Sequence, residues 1–225
     1  MNKINIALIT SSLLASMMSF SAYAGEEKAL EVKITPNLSA VNVVHMGKRM
    51  TIQRNQDQHH LIPKVYAKTS RACPPFCIQP MSIDPKVETI GELETLDYLK
   101  RSSAGEPIMV IDARTPEWLM RGTIPGSVNI PWTKLSVKGQ EAWEDAATAE
   151  DVIINRFGAK KQGDKLDFST AKTLVLFCNG PWCEQSTANI KLLLKKGYPA
   201  DKIKWYRGGM QDWTGFGLST VYLRK

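Results

Sequence analysis

Residues 173–197, TLVLFCNGPWCEQSTANIKLLLKKG, decide the fold of this 225-residue chain. They begin with a continuous apolar run, which is typical of a parallel strand covered on both faces. They end with a helical pattern in which Ile190, Leu193 and Leu194 share one face and Gly197 stands where a C-terminal cap is expected. A strand that passes directly into a helix predicts an α/β sheet, because such sheets alternate the two elements.

The residues on either side continue this alternation. A continuous apolar run predicts a further strand at 107–112, and short strands are expected at 128–130 and 203–205. Helical spacing of Leu93, Leu96 and Leu99 predicts one helix, and Pro116 opens a short second one that ends near Arg121. A charged, partly helical segment is expected over 134–161. The predicted fold class is therefore α/β, with an open, mainly parallel sheet flanked by helices.

The composition limits the classes of function. The chain is 43% hydrophobic and 23% charged, which excludes a disordered tail and a protein with several membrane spans. Its formal net charge is +7, which favours small anions as partners. The basic doublets Lys160-Lys161 and Lys195-Lys196 are isolated, so no nucleic-acid partner is expected.

Residues 1–24 have the pattern of a secretory signal peptide. Lys3 supplies a positive start, residues 4–20 carry no charge, and Ala22 and Ala24 are the small residues of a cleavage site. The apolar run is shorter than the ~20 residues that cross a bilayer, which disfavours a membrane anchor. We therefore expect an exported, periplasmic protein that begins at Gly25 and has no membrane span after cleavage.

Residues 25–85 differ in composition from the rest. Apolar residues alternate with polar ones on both sides of Gly47, which predicts a β-hairpin. Five prolines follow within residues 63–85, so we expect this stretch to be extended and without long helices. The sequence thus predicts a small β-rich, proline-rich arm over 25–85, followed by the α/β domain over 86–222.

Cys178 is the strongest candidate for chemistry. It ends the predicted strand, and open α/β sheets bind their ligands at the carboxyl ends of strands. Amides of the following loop and the N-terminus of the next helix favour a thiolate, which is the nucleophilic form of cysteine. The alternative is a buried, inert cysteine. The candidate loop consists of Asn179, Gly180, Pro181, Trp182, Cys183 and Glu184.

The four cysteines form two close pairs, Cys73 with Cys77 and Cys178 with Cys183. Neither pair has the two-residue spacing of a thioredoxin motif or a zinc knuckle, so a thioredoxin-type site and a zinc knuckle are both disfavoured. In an oxidising compartment either pair can form a disulfide. Cys183 is a resolving thiol for Cys178 or a small apolar packing residue.

The pair Cys73 and Cys77 has three interpretations. The first is structural, as a local disulfide or two buried thiols that fix the proline-rich segment. The second is a redox or sulfur-relay pair near the Cys178 loop, with Arg71 nearby to bind an anion. The third is a metal site completed by His59 or His60, which the spacing disfavours.

Four segments resemble, in order, the signature segments of the rhodanese family. They are IDAR at 111–114, GTIPGSVNIP at 122–131, LFC at 176–178 and YRGGMQDW at 206–213. The resemblance covers about residues 87–221 and leaves out the arm. It implies a sulfurtransferase in which Cys178 takes sulfane sulfur from thiosulfate or a related anion as a persulfide, and a thiol, a protein thiol or cyanide accepts it. No cofactor or metal is expected. No histidine is required, and all three histidines lie in the arm, which disfavours a Cys-His protease.

The loop departs from the family pattern in two places. Gly180 is the second residue after the cysteine, where the family pattern has glycine at the third position. Ser186, which matches the serine that opens the helix in the family, comes about two positions late, which indicates an enlarged loop. Related folds that act on phosphate or arsenate place an arginine six residues after the cysteine. Here that residue is Glu184, whose charge would repel phosphate, so phosphatase activity is disfavoured.

Further side chains have candidate supporting roles. Arg114 and Arg207 are candidates for attracting an anionic donor, while Asp112 and Arg114 are alternatively a structural ion pair. Trp182 is expected to line the pocket, and Trp205 and Trp213 are expected in the core. Two other functions remain open. One is a dithiol–disulfide oxidoreductase that uses both cysteine pairs, and the other is a non-catalytic module that binds sulfur compounds or anions.

Overall fold

The computed structural model describes residues 31–135 and 149–222, which belong to one compact unit beginning at Glu31. The predicted signal peptide and the middle of the charged segment at 134–161 lie outside these ranges. Within them, every helix is too short or too polar to cross a bilayer.

The described strands, in chain order, are β1 (Ala40–His45), β2 (Lys48–Gln53), β3 (Glu88–Ile90), β4 (Ile108–Asp112), β5 (Val128–Asn129), β6 (Lys160–Gln162), β7 (Lys165–Asp167), β8 (Thr173–Phe177) and β9 (Ile203–Tyr206). The described α-helices are α1 (Lys64–Ala67), α2 (Glu92–Ser103), α3 (Pro116–Leu119), α4 (Ala149–Asn155), α5 (Gln185–Lys195) and α6 (Gly209–Gly215). Short 3-10 turns cover Trp132–Lys134 and Ala200–Lys202.

Five strands form a parallel sheet in the order β3-β9-β8-β4-β5, which confirms the predicted fold class. Strand β8 is central and pairs with β4 from Ile108↔Thr173 to Asp112↔Phe177. Its other neighbour, β9, ends at Tyr206 opposite Phe177. The residue that follows β8 therefore lies at the middle of the carboxyl edge of the sheet.

Both faces of the sheet are covered, which explains the continuous apolar run of β8. Leu174 and Leu176 pack in a cluster with α4 and α5, while Val175 and Phe177 pack in a second cluster with α2 and α6. All four side chains are completely buried. Burying a side chain of this size contributes about 1.5–3 kcal/mol, so the central strand is a main source of stability.

The predicted β-hairpin is confirmed and is part of the second cluster. β1 and β2 pair antiparallel from Ala40↔Gln53 to His45↔Lys48, and Met46 and Gly47 both have positive φ, at 48° and 76°, as a two-residue type I′ turn requires. Apolar residues of the hairpin pack in the same cluster as Leu96 and Leu99 of α2. The division of the chain at residues 85 and 86 stays a prediction.

Some details differ from the sequence expectations. The helix that opens at Pro116 ends at Leu119, and Leu93 of α2 is half exposed. The segment expected to be partly helical contains α4 but also the hairpin of β6 and β7, with its turn at Gly163. This hairpin is short and largely exposed, so it lacks the apolar alternation by which a strand is recognised in a sequence.

Candidate active site

Cys178 directly follows β8 and is only 2% exposed. The loop 178–184 connects this central strand to α5. It lies at the carboxyl edge of a parallel sheet, where ligands are bound in open α/β folds. The candidate nucleophile is thus placed where the sequence predicted it.

The backbone of this loop is held by the N-terminus of α6. The amide of Met210 donates to the carbonyl of Cys178 at 3.0 Å, and the amide of Gln211 donates to the carbonyl of Asn179 at 2.9 Å. Gly209 has a φ of 54°, and a Cβ at this position would lie 2.3 Å from the carbonyl oxygen of Cys178. Only glycine allows this approach, which gives the YRGGMQDW segment a physical role in fixing Cys178.

The sulfur of Cys178 has polar neighbours. The hydroxyl of Ser186 donates to it at 3.2 Å, and the indole N–H of Trp205 donates to the Ser186 oxygen at 3.1 Å. The Cys178 thiol in turn donates to the carbonyl of Cys183 at 3.1 Å. Ser186 is therefore within reach of the sulfur although it comes about two positions later than the family pattern has its serine. Trp205 is a core residue that also orients the Ser186 hydroxyl.

These contacts give the two thiols of the loop different pKa values. Burial opposes ionisation of Cys178, but hydrogen bonds from the Cys183 thiol, the Ser186 hydroxyl, and the backbones of Ser186 and Gly180 lower its pKa to about 7. For Cys183, burial, its hydrogen bond to Cys178 and the charge of that neighbour raise the pKa well above the ordinary value. Cys178 therefore ionises in preference to Cys183, which keeps its proton near neutral pH.

Replacing Ser186 by alanine tests this electrostatic assignment. Losing one hydrogen bond to the thiolate should raise the pKa of Cys178, so that alkylation by iodoacetamide at pH 7 slows roughly fivefold. Alkylation in the wild type should rise with pH around a midpoint of about 7, and Ser186→Ala should shift that midpoint upward.

Trp205 also loses its acceptor in Ser186→Ala, so a lower Tm alone is not diagnostic. The matched control is Ser169→Ala, which removes a hydroxyl bonded to Asp167 on the exposed hairpin and should keep the wild-type midpoint. Equal midpoints in Ser186→Ala and the wild type would contradict the assignment.

Arg114 is completely buried and its donors are engaged. Its guanidinium forms an ion pair with Asp112 at 2.6 Å and also donates to the hydroxyl of Tyr66 at 2.9 Å and the carbonyl of Gly122 at 2.8 Å. A longer contact of 3.4 Å reaches the side-chain oxygen of Asn179. The geometry favours the structural alternative for Asp112 and Arg114, in which the pair links the arm, the sheet and the loop.

Arg207 holds the arm against the loop 178–184. It donates to the carbonyls of Gln79 and Pro80, at 2.8 and 3.0 Å. The amide of Gln79 donates to the carbonyl of Pro181 at 2.8 Å, and Thr187 donates to the Gln79 side chain. Within the described residues, the contacts of Arg207 are with this part of the arm and not with the cysteine sulfur.

Trp182, at the tip of the loop, is covered by side chains of the arm and of α3. The guanidinium of Arg71 lies 3.6 Å from the centre of its ring, and the rings of Phe76 and Trp118 are 5.7 and 6.4 Å away. Its indole N–H donates to the side chain of Gln211 in α6. The arm therefore packs directly on the candidate catalytic loop.

Cys73 and Cys77 are joined in a disulfide, which closes a short loop of chain that contains Phe76. A metal site would need both sulfurs as thiolates, so this bond leaves the metal alternative without its sulfur ligands. His59 and His60 are exposed. The disulfide and Arg71 line a cavity of about 650 Å³ together with Pro181 and Trp182, which brings this pair close to the loop.

A second cavity, of about 280 Å³, opens beside the loop and has three aromatic side chains in its lining. Its lining comprises Pro75, Phe76, Trp118, Trp132, Asn179, Cys183, Glu184, Gln185 and Ala188. The sequence did not predict Tyr66, Phe76, Trp118 or Gln211 as neighbours of the site, because nothing local marks side chains that meet the loop only after folding.

Comparison with known proteins gives one family match. Residues 95–215 match the model of the rhodanese-like domain. No curated protein matches the chain significantly.

Several solved structures are similar at low identity. The BH2092 protein of Bacillus halodurans has 18% identity and a TM-score of 0.41, with 60% of this chain and 77% of that one covered. RPA3614 of Rhodopseudomonas palustris, described as a possible tyrosine phosphatase, has 21% identity and a TM-score of 0.41, with 62% and 88% covered. The human single-domain sulfurtransferase TSTD1 has 22% identity and a TM-score of 0.35, with 57% and 96% covered.

Proposed function

The chain belongs to the rhodanese-like domain family, and on this premise we propose that it is a sulfurtransferase that carries sulfane sulfur on Cys178. The observation that supports the proposal best is the environment of that sulfur. A cysteine at the end of the central strand, with a hydroxyl donor at 3.2 Å and a pKa lowered to about 7, is prepared to attack without a general base.

The proposed reaction has two steps. The Cys178 thiolate attacks the outer sulfur of thiosulfate, the bond between the two sulfur atoms breaks, and sulfite leaves with the electron pair. The enzyme then holds a persulfide anion, which the donors from Ser186 and Gly180 stabilise as they stabilise the thiolate. A thiol or cyanide attacks the outer sulfur next, takes it as a persulfide or thiocyanate, and restores the Cys178 thiolate.

The histidines take no part in this proposal. His45 lies on the hairpin, where its Nδ1 accepts the amide of Gly126 at 3.1 Å, and His59 and His60 are exposed on the arm. A thiolate with a pKa of about 7 is substantially ionised near neutral pH, so no imidazole is needed to remove its proton.

The experiment uses the reduced, purified protein, first with thiosulfate and then with cyanide. We expect intact mass to show one added sulfur atom on Cys178, and cyanide to release it as thiocyanate in repeated turnovers. Disulfides that form without any persulfide, thiocyanate or hydrosulfide would overturn the proposal in favour of the dithiol–disulfide oxidoreductase. Neither product would overturn it in favour of a binding module.

A further inference from the structure

We propose that Cys183 is a second catalytic residue, which attacks the Cys178 persulfide and releases its outer sulfur as hydrosulfide. This inference rests on the proposed persulfide of Cys178 and adds a different fate for the sulfur. Transfer to an external acceptor leaves the protein thiols unchanged, whereas this reaction ends with a disulfide between Cys178 and Cys183.

The fold of the loop brings the two cysteines together. The amide of Cys183 donates to the carbonyl of Gly180 at 2.9 Å, so the chain turns back on itself between the two cysteines. The carbonyl of Cys183 consequently lies 3.1 Å from the sulfur of Cys178. Both cysteines are free and buried, and each contributes to the pKa shift of the other.

The surroundings of the Cys183 sulfur are polar, unlike those of a cysteine that only fills space. The side-chain N–H of Asn179 points to this sulfur at 3.8 Å, and the thiol points to the side-chain oxygen of Gln185 at 3.9 Å. The amide of Asn179 is suited to stabilise negative charge on the sulfur, and the oxygen of Gln185 to accept a hydrogen bond from the thiol.

Cys183 also lines the cavity of about 280 Å³ beside the loop, whereas Cys178 is not among the residues of that lining. Hydrosulfide formed at Cys178 can leave past Cys183, and an external dithiol can reach the resulting disulfide from the same side.

The step balances in atoms and electrons. Cys183 first passes its proton to the outer sulfur of the persulfide anion, which leaves Cys183 as a thiolate. The thiolate attacks the inner sulfur, which is Cys178 Sγ, the bond from Sγ to the outer sulfur breaks, and the protonated outer sulfur departs with the electron pair as hydrosulfide. The outer sulfur is reduced and the two cysteines are oxidised to a disulfide, which an external dithiol reduces by two exchange reactions.

The raised pKa of Cys183 is consistent with this sequence of events. The proton stays on Cys183 while the donor binds, so the loop carries one negative sulfur and not two. The same proton is then available for the leaving sulfur.

A single-turnover experiment compares the full-length wild type with Cys183→Ser. Each protein is reduced, loaded with thiosulfate and desalted, and is then followed by intact mass and a hydrosulfide assay without added reductant. We expect the wild type to lose its persulfide mass, gain the Cys178–Cys183 disulfide and release hydrosulfide. Cys183→Ser should keep the persulfide and release hydrosulfide at least about tenfold more slowly.

Persulfide formation on Cys178 in Cys183→Ser itself reports that the variant has an intact site. The control Cys73→Ser combined with Cys77→Ser, which removes both arm sulfurs but keeps both loop cysteines, should release hydrosulfide like the wild type. Equal persulfide loss and hydrosulfide release in Cys183→Ser and the wild type would overturn the inference, while absence of persulfide in both proteins would overturn the proposed function instead.

Discussion

Cys178→Ser is expected to lower kcat/KM for sulfur transfer from thiosulfate to cyanide at least about 1,000-fold. A serine hydroxyl does not ionise near neutral pH and cannot hold sulfane sulfur as a persulfide. The substitution changes one buried atom and leaves the backbone bonds to Met210 and Gln211 unaffected, so the fold should persist. Thiocyanate formation and intact mass after thiosulfate give the two readouts.

The matched control is Cys73→Ser combined with Cys77→Ser. It also removes cysteine sulfurs, but from the arm disulfide, and should keep kcat/KM within a few-fold of the wild type. If Cys178→Ser retained most of the activity, the sulfur carrier would have to be another cysteine, and the proposed function of Cys178 would be wrong.

Arg114→Met is expected to lower the free energy of unfolding by about 3–5 kcal/mol. The guanidinium is the partner of Asp112, and both side chains are completely buried. Methionine has a similar length but carries no charge, so it leaves the carboxylate without its cation in a site that water does not reach. Tyr66 and the carbonyl of Gly122 lose a donor at the same time.

Urea denaturation with an unchanged m-value measures the loss. Arg101→Met makes the same substitution in an exposed pair with Glu106, where both side chains are more than 40% exposed, and should cost less than about 1 kcal/mol. Similar losses in Arg114→Met and Arg101→Met would show that the buried pair does not have the stabilising role that the geometry indicates.

The sequence predicted the sheet well because each strand is marked by the composition of its own few residues. The runs that became β4 and β8 are apolar except for one terminal residue each, since both faces of the sheet are covered, while β9 has Lys204 among apolar residues. The turn at Gly47 and the alternation around it likewise identify the hairpin. Cys178 could be placed because it ends such a run.

The contacts between the arm and the loop could not be predicted in this way. Tyr66 meets Arg114 across 48 positions of sequence, and Phe76 and Arg71 meet Trp182 across more than 100. Such contacts depend on how whole elements pack, and neither periodicity nor spacing encodes them. The enlarged loop was a prediction from the late position of Ser186, but that its hydroxyl still reaches the sulfur is visible only in three dimensions.

The hairpin bears on how freely this domain can be exchanged between genes. Val41, Val43 and Ile52 of the hairpin are nearly or completely buried in the cluster that also holds Leu96 and Leu99. A recombination event that copied only residues 86–222 would leave this apolar surface bare, and the product would be prone to aggregate. The arm and the α/β region that carries Cys178 are therefore expected to be inherited as a single unit.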